Sequence, residues 1–392
     1  MNAPVTESTE PMHVSQSTVT PELPSAPSRP PVHLDFLDGL RGIAAMYVVI
    51  HHAWLQAWVE ITLPSSPHPL VDILSAWLAY GHFSVTFFIT ISGFSLMIPV
   101  LRSGQLRGGT AGFFKGRAKR ILPPYYGALL ISLAVAFWFQ HIHTPMYYAA
   151  FRLTLKAIVL HIFLLHDLLS STTSQINAPM WSIAVECQIY LLFPLLVFIW
   201  HRFGLRATLA LTAILSTCLC LLVNGTRAWN LFPHYIFIFS LGMLASIRVH
   251  GKKNSLEPSL NCTGYKIAGL LALVVFVLSE RIPTLQYVYL QDLSIGVAGC
   301  CLLVVVSLEK NNFVRRIASL APIVWVGGFS YSLYLLHFPL QQLLWQLTAG
   351  TYHLSKLSGY LIVLAGTALI VPFSFLFYRV LEKPFMRSKP RA

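Results

Sequence analysis

Charge is scarce in this 392-residue chain, where Asp, Glu, Lys and Arg make up 10% of residues and hydrophobic residues 55%. Soluble domains carry about 25% charged residues, so an ordinary water-soluble fold is excluded. Acidic residues are the rarer sign, 14 against 27 basic, giving a net charge of +13. The six cysteines show no metal-ligand spacing. Cys187, Cys218, Cys220, Cys300 and Cys301 lie in apolar runs and Cys262 in a basic loop. They read as small buried hydrophobes, and neither a disulfide framework nor a metal is expected. No dinucleotide or P-loop glycine pattern and no repeat of fixed period is present. The N-terminus lacks the basic, apolar, small-residue order of a cleavable signal. The first apolar run is therefore expected to direct its own insertion.

What is present is a series of long apolar runs. A run of ~20 residues crosses a ~30 Å hydrocarbon core as a helix, and only helices or closed barrels satisfy the backbone there. The predicted fold is all-α, a polytopic transmembrane bundle of about ten spans. They lie near 39–59, 72–99, 121–139, 181–200, 207–223, 234–249, 267–280, 290–307, 323–345 and 357–380. Basic residues cluster in loops: Arg102, Arg107, Lys115, Arg117, Lys119 and Arg120; then Arg248, Lys252, Lys253 and Lys266; then Lys310, Arg315 and Arg316. Lys383, Arg387, Lys389 and Arg391 follow at the C-terminal end. The loops at 60–71 and 140–150 carry no Lys or Arg. By the positive-inside rule the basic loops and both termini are cytoplasmic. Charge placed this way points to a lipid bilayer as partner and excludes nucleic acid. Residues 1–33, rich in Pro, Ser and Thr, read as a disordered cytoplasmic tail. Residues 34–386 form the membrane domain, and 387–392 a basic tail. The segment 152–169 is apolar, but counting it as a span would turn later basic loops outward, so it is read as re-entrant or interfacial.

Four polar clusters interrupt the apolar runs, and an ionisable residue inside a membrane is a functional-site candidate. Arg41 and His52 stand eleven positions apart on one helix face, at ~3.6 residues per turn. A histidine there can serve as general base or simply bond a backbone carbonyl. His51 points elsewhere. In Lys115-Gly116-Arg117-Ala118-Lys119-Arg120, read as a loop, Arg117 and Arg120 with Lys115 and Lys119 can clamp phosphates. They can equally orient the protein against anionic headgroups. Ser182, Glu186 and Tyr190 are spaced by four on one helix face. Glu186 can pair with Arg41, orient His52, or form a structural ion pair. Ser330, Tyr334 and His337 share a face and can line a polar cavity or hold helices together.

Together these motifs, in this order, resemble the membrane-bound acyltransferase family 3. The matching segments are LDGLRGIAAMYVVIHHA at 37–53, SVTFFITISGF at 84–94, RAKRILPPYY at 117–126, WSIAVECQIYLLFPLL at 181–196, SYSLYLLHFPL at 330–340 and EKP at 382–384. The resemblance covers about 34 to 386. It implies O-acylation of carbohydrates or related acceptors from acyl-coenzyme A. The Arg-x10-His pair falls on Arg41 and His52, the Arg-x-x-Arg motif on Arg117 and Arg120, the helix glutamate on Glu186, and the late hydroxyl-rich run on Ser330 to His337. Cys187 departs from the polar residue many relatives place there. No C-terminal esterase-like domain, of the kind some carbohydrate-modifying relatives carry, is expected from this sequence.

The expectation is thus an O-acyltransferase of the bacterial inner membrane. It uses acyl-CoA, acetyl-CoA first, on a cell-surface or lipid-linked glycan. His52 would be the base, with Arg41 and Glu186 beside it. Acylation of a macrolide or another small secondary metabolite is the alternative within the class. A proton-coupled transporter is the alternative outside it, against which stand the Arg-x-x-Arg motif and the lack of broken helices in matching halves.

Overall fold

The computed structural model describes residues 34–58, 69–139, 153–223, 231–251, 262–281, 288–348 and 356–386. The expected tails at 1–33 and 387–392, the loop at 140–150 and most of the one at 60–71 lie outside the described residues. The described residues are helical throughout, with no strand among them.

Helix α1, Asp35–Trp58, places Asp35 and Asp38 in its first turn, where the positive end of the helix dipole favours carboxylates. A short α2, Pro69–Ser75, and a 3-10 turn, Ala76–His82, lead into α3, Phe83–Ser103. Gly104 ends α3 at φ 74°, the left-handed stop that glycine adopts without penalty. Helix α4, Gly109–Phe139, runs through Pro123 and Pro124. The supposed loop at 115–120 is therefore its first turns. Prolines are tolerated inside membrane helices where neighbouring groups take up the freed carbonyls.

Helix α5, Leu155–Ile162, has eight residues. At 1.5 Å per residue it covers about 12 Å, too little to cross a bilayer. The run at 152–169 is broken further by a 3-10 turn, His166–Leu168, before the brief α6, Ser170–Thr173. Next comes α7, Trp181–Val223, interrupted at Gly204 with φ 81° and ψ 175°, a conformation open essentially to glycine alone. Then follow α8, Tyr235–His250; α9, Cys262–Arg281; and α10, Val288–Leu308. Helix α11, Phe313–Ala318, is capped by Asn312, whose side-chain oxygen accepts from the Val314 and Arg315 amides. The chain closes with α12, Ala321–Gly327; α13, Ser330–Leu347; and α14, Lys356–Phe377, ending in a π turn, Tyr378–Glu382.

Among the described residues, six helical stretches are long and apolar enough to cross a membrane, or seven if α12 and α13, bent by 74°, form one span. The expected count of ten is not confirmed by length and composition. The expected spans at 181–200 and 207–223 lie on either side of the break at Gly204 within the single stretch Ala178–Val223. Helix α8 has 16 residues, about 24 Å and short of a ~30 Å core. Helix α1 carries Asp35, Asp38, Arg41, His51 and His52 in 24 residues, which dilutes its apolar character. Of the cysteines, Cys220, Cys300 and Cys301 are buried as expected, Cys187 and Cys262 are half-buried, and Cys218 is exposed. Cys262 opens α9 rather than lying in a loop.

Helices α3, α8 and α10 run parallel. Thr86 faces Tyr235 and Asp292, Thr90 faces Gly242, and Phe94 faces His250. Backbone approach between α3 and α8 is very close: a Cβ on Gly242 would stand 2.0 Å from the Thr90 carbonyl oxygen, and one on Gly93 2.0 Å from that of Phe239. Small residues that let backbones meet are a principal source of helix association in lipid. Gly242→Val is expected to force these helices apart and destabilise the bundle by about 1–3 kcal/mol or more. A lowered thermal midpoint in detergent would register this; an unchanged midpoint would show that the contact is dispensable.

Candidate active site

A cavity of ≈ 200 Å³ lies among α1, α3, α4, α7 and α13. Residues of α3 line it from Val85 to Pro99, a rise of about 21 Å. Into it converge Arg41, Arg117, Arg120, Ser182, Glu186, Tyr190, Ser330 and Tyr334. Eight of the twelve residues singled out in the sequence thus meet in one space.

Helical spacing explains which ones. At about 100° per residue, Arg117 and Arg120 fall on one face of α4 and Lys115 and Lys119 on the opposite one. The two lysines are exposed and outside the cavity, whereas both arginines line it and are half-buried. Ser182, Glu186 and Tyr190 all reach the cavity, as their i, i+4 spacing requires.

Glu186 accepts from Ser92 Oγ at 2.5 Å and from the Tyr190 hydroxyl. Arg41 takes its partners elsewhere: Nη1 donates to Asp38 Oδ1 at 2.8 Å and Nη2 to Ser95 Oγ at 2.6 Å. The anticipated Arg41–Glu186 pair is replaced by one with Asp38, three residues earlier on the same helix face and already in reach. The Arg117 guanidinium lies 6.0 Å from the Tyr190 ring centroid. It stands within electrostatic reach of Arg120, Glu186 and Arg41. No hydrogen bond to the Arg117 or Arg120 guanidinium is made among the described residues.

His52 and His337 lie beyond this cavity. Tyr334 connects them to it: its hydroxyl sits 2.7 Å from Ser182 Oγ, and its carbonyl is 2.6 Å from His337 Nδ1. The His337 and His52 ring centroids are 5.2 Å apart. His337 Nε2 and His52 Nδ1 are buried without hydrogen-bond partners. Glu186, the only carboxylate on the cavity wall among the described residues, is committed to Ser92 and Tyr190 rather than to His52. His51 differs from both: its Nδ1 meets the Leu78 carbonyl at 2.6 Å, and its ring fills the space a Cβ on Gly81 would need, 2.0 Å from Cγ. It is a packing residue.

Sequence reasoning missed Asp38, Ser92 and Ser95. Each is an unremarkable polar residue within an apolar run until Arg41 and Glu186 are seen to need partners. Ser332 donates to the buried Glu382 at 2.6 Å, tying the EKP segment to α13.

A family model described as an acyltransferase domain matches residues 34–379. The chain is 25% identical to the O-acetyltransferase OatA of Staphylococcus aureus over 387 aligned positions, covering 91% of this chain and 58% of that protein. It is 22% identical to the peptidoglycan O-acetyltransferase OatA of Listeria monocytogenes, covering 90% and 56%. It is also 22% identical to the putative peptidoglycan O-acetyltransferase YrhL of Bacillus subtilis, covering 77% and 48%. The chain thus spans about half the length of the curated relatives it matches. No solved structure matches it.

Proposed function

The chain belongs to the acyltransferase-domain family, and from that premise we propose that it is an integral membrane O-acyltransferase. It would move an acyl group, acetyl first, from acyl-CoA to a hydroxyl of a cell-surface or exported carbohydrate. The observation that carries this reading is the cavity with two guanidiniums at one end that make no hydrogen bond among the described residues and, past Ser182 and Tyr334, two imidazoles with unpartnered nitrogens. The names of the relatives support a glycan acceptor.

The donor set fits a phosphate-bearing acyl donor. Arg117 and Arg120 present planar forks suited to phosphate oxygens, and Arg41, steadied by Asp38 and Ser95, adds positive potential. Lys115 and Lys119, facing away, would meet lipid headgroups instead. Glu186 holds the guanidinium cluster in register through Ser92 and Tyr190. The long cavity along α3 then directs the thioester toward His52.

His52 takes the proton of the acceptor hydroxyl as that oxygen bonds to the thioester carbonyl carbon. The carbon–sulfur bond breaks, and the proton held on His52 passes to the departing thiolate, giving an acyl ester and a free thiol. Ser182, Tyr334 and His337 line the approach, with Ser330 and Tyr190 on the cavity wall. The gathering of Arg102, Arg248, Lys266 and Arg315 near one end of α3, α8, α9 and α10 supports cytoplasmic donor entry in a bacterial inner membrane with both termini inside.

Membranes carrying the protein, supplied with radiolabelled acetyl-CoA and a glycan, are expected to leave label covalently on the glycan. Label on a soluble small molecule would instead favour a macrolide-type acceptor. Label left on no product would remove the enzyme reading in favour of a carrier.

A further inference from the structure

A second cavity, ≈ 450 Å³, opens where α3, α8 and α10 begin, at the end opposite Arg102 and Arg248. Tyr80, His82, Phe83, Phe232, Glu280 and Gln291 are on its walls. Beneath it lies Asp292, fully buried. Its carboxylate receives His234 Nε2 at 2.8 Å, His82 Nε2 at 3.2 Å and the Thr86 hydroxyl. Three donors leave this carboxylate well satisfied, and it sits near the starts of three parallel helices, where the helix dipoles favour negative charge.

Asp292 fixes how His82 is presented. With Nε2–H donated to the carboxylate, Nδ1 is the ring nitrogen left to meet a ligand, and no hydrogen bond to His82 Nδ1 is made among the described residues. The His82 side chain is 31% exposed. Its ring stacks on Trp181 at 5.8 Å and 14°, and Trp181 stacks on Phe232 at 4.5 Å. Phe232 adopts φ 45°, a backbone conformation costly for a bulky residue. Such strain persists only where the surroundings impose it, and it clusters at ligand sites.

The two cavities adjoin. Tyr80, His82 and Phe83 line this one, while Val85 and Phe88 on the next turns of α3 line the guanidinium cavity. Trp181 backs His82, and its neighbour Ser182 faces the guanidinium cavity. The turn bearing His82 also rests, through Gly81, on the His51 ring, beside His52.

We propose that the cavity at His82 is the acceptor subsite and takes an uncharged sugar ring. The apolar C–H face of the ring would lie against Phe232 and Tyr80, and its hydroxyls would reach His82 and the Gln291–Glu280 pair, itself bonded at 2.5 Å. Apolar walls with a few oriented polar groups are what a neutral, hydroxyl-rich ligand requires. Among the described residues no arginine or lysine lines this cavity, in contrast to the one that Arg41, Arg117 and Arg120 line. The inference deepens the proposed O-acyltransferase function by locating its carbohydrate, and it rests on that reading for the word acceptor.

The test uses the full chain in lipid nanodiscs, with chitotetraose as probe and calorimetry as readout, alongside acetyl-CoA binding. Wild type should bind chitotetraose saturably. Phe232→Ala should weaken that binding by about tenfold or more and Phe232→Tyr should restore it, with acetyl-CoA affinity unchanged in both variants. Parallel loss of both ligands in Phe232→Ala would reveal a folding defect and, if Phe232→Tyr did not recover chitotetraose binding, would overturn the proposal. So would chitotetraose binding indifferent to Phe232, or no binding to wild type. Because binding is read without turnover, Phe232-dependent binding in a protein that transfers no label would sink the enzyme reading while leaving a sugar site. Transfer of label with Phe232-independent binding would do the reverse.

Discussion

Membranes bearing His52→Ala are expected to lose acyl transfer by at least about 10²-fold, the lower range for removing a general base, while insertion and abundance stay at wild-type levels. His52 is half-buried, its Nδ1 has no partner, and its ring is flanked by His51, His337 and Phe338. Alanine there removes no hydrogen bond from the scaffold, so the loss would report chemistry rather than folding. The measurement is initial rate of label transfer beside protease accessibility of the inserted protein. A full rate in the variant would remove His52 from the mechanism.

Arg117→Ala together with Arg120→Ala should raise the donor KM by about 10²-fold or more, since each charge-assisted hydrogen bond contributes ~1.5–3 kcal/mol. The paired control, Lys115→Gln with Lys119→Gln, should shift it by no more than about threefold, as exposed charges contribute little. The contrast follows from one helix turning its arginines into a cavity and its lysines out of it. Arg117→Lys would separate charge from geometry, keeping the former and losing the planar fork. Equal effects from the lysine and arginine pairs would mean that diffuse positive potential, not this cavity, recruits the donor.

Much of the guanidinium cavity was legible in the sequence because helical periodicity is a local property. Ser182, Glu186 and Tyr190 at fourfold spacing had to share a face, and so did Arg117 and Arg120. The same arithmetic aligned Arg41 with His52 but says nothing of depth: eleven residues are about 16 Å of rise, which carries His52 past the cavity that Arg41 lines. Partner choice was less legible. Asp38 outcompeted Glu186 for Arg41 by proximity along α1, a contest that distant motifs do not reveal. The basic run at 115–120 reads as a loop, yet α4 starts at Gly109 and carries it as helix, because charge alone does not mark where a helix ends. The span count is harder to read, because Gly204 breaks one long helical stretch in two and α8 is short for a span. Asp292 did leave a signal, as the sole charge within the apolar run 290–307, but its partners His82 and His234 are 210 and 58 residues away.

The glycine contact between α3 and α8 has a mechanical consequence. With Gly93 and Gly242 each pressed on a carbonyl of the other helix, α3 can neither roll nor slide without a backbone collision. One face of that pinned helix borders both cavities, Tyr80 to Phe83 at its lead-in and Val85 to Pro99 along its length. Helix α3 therefore behaves as a fixed ruler, its own rise setting the separation between the two ligands. Whatever opens to admit them must be some other part of the bundle.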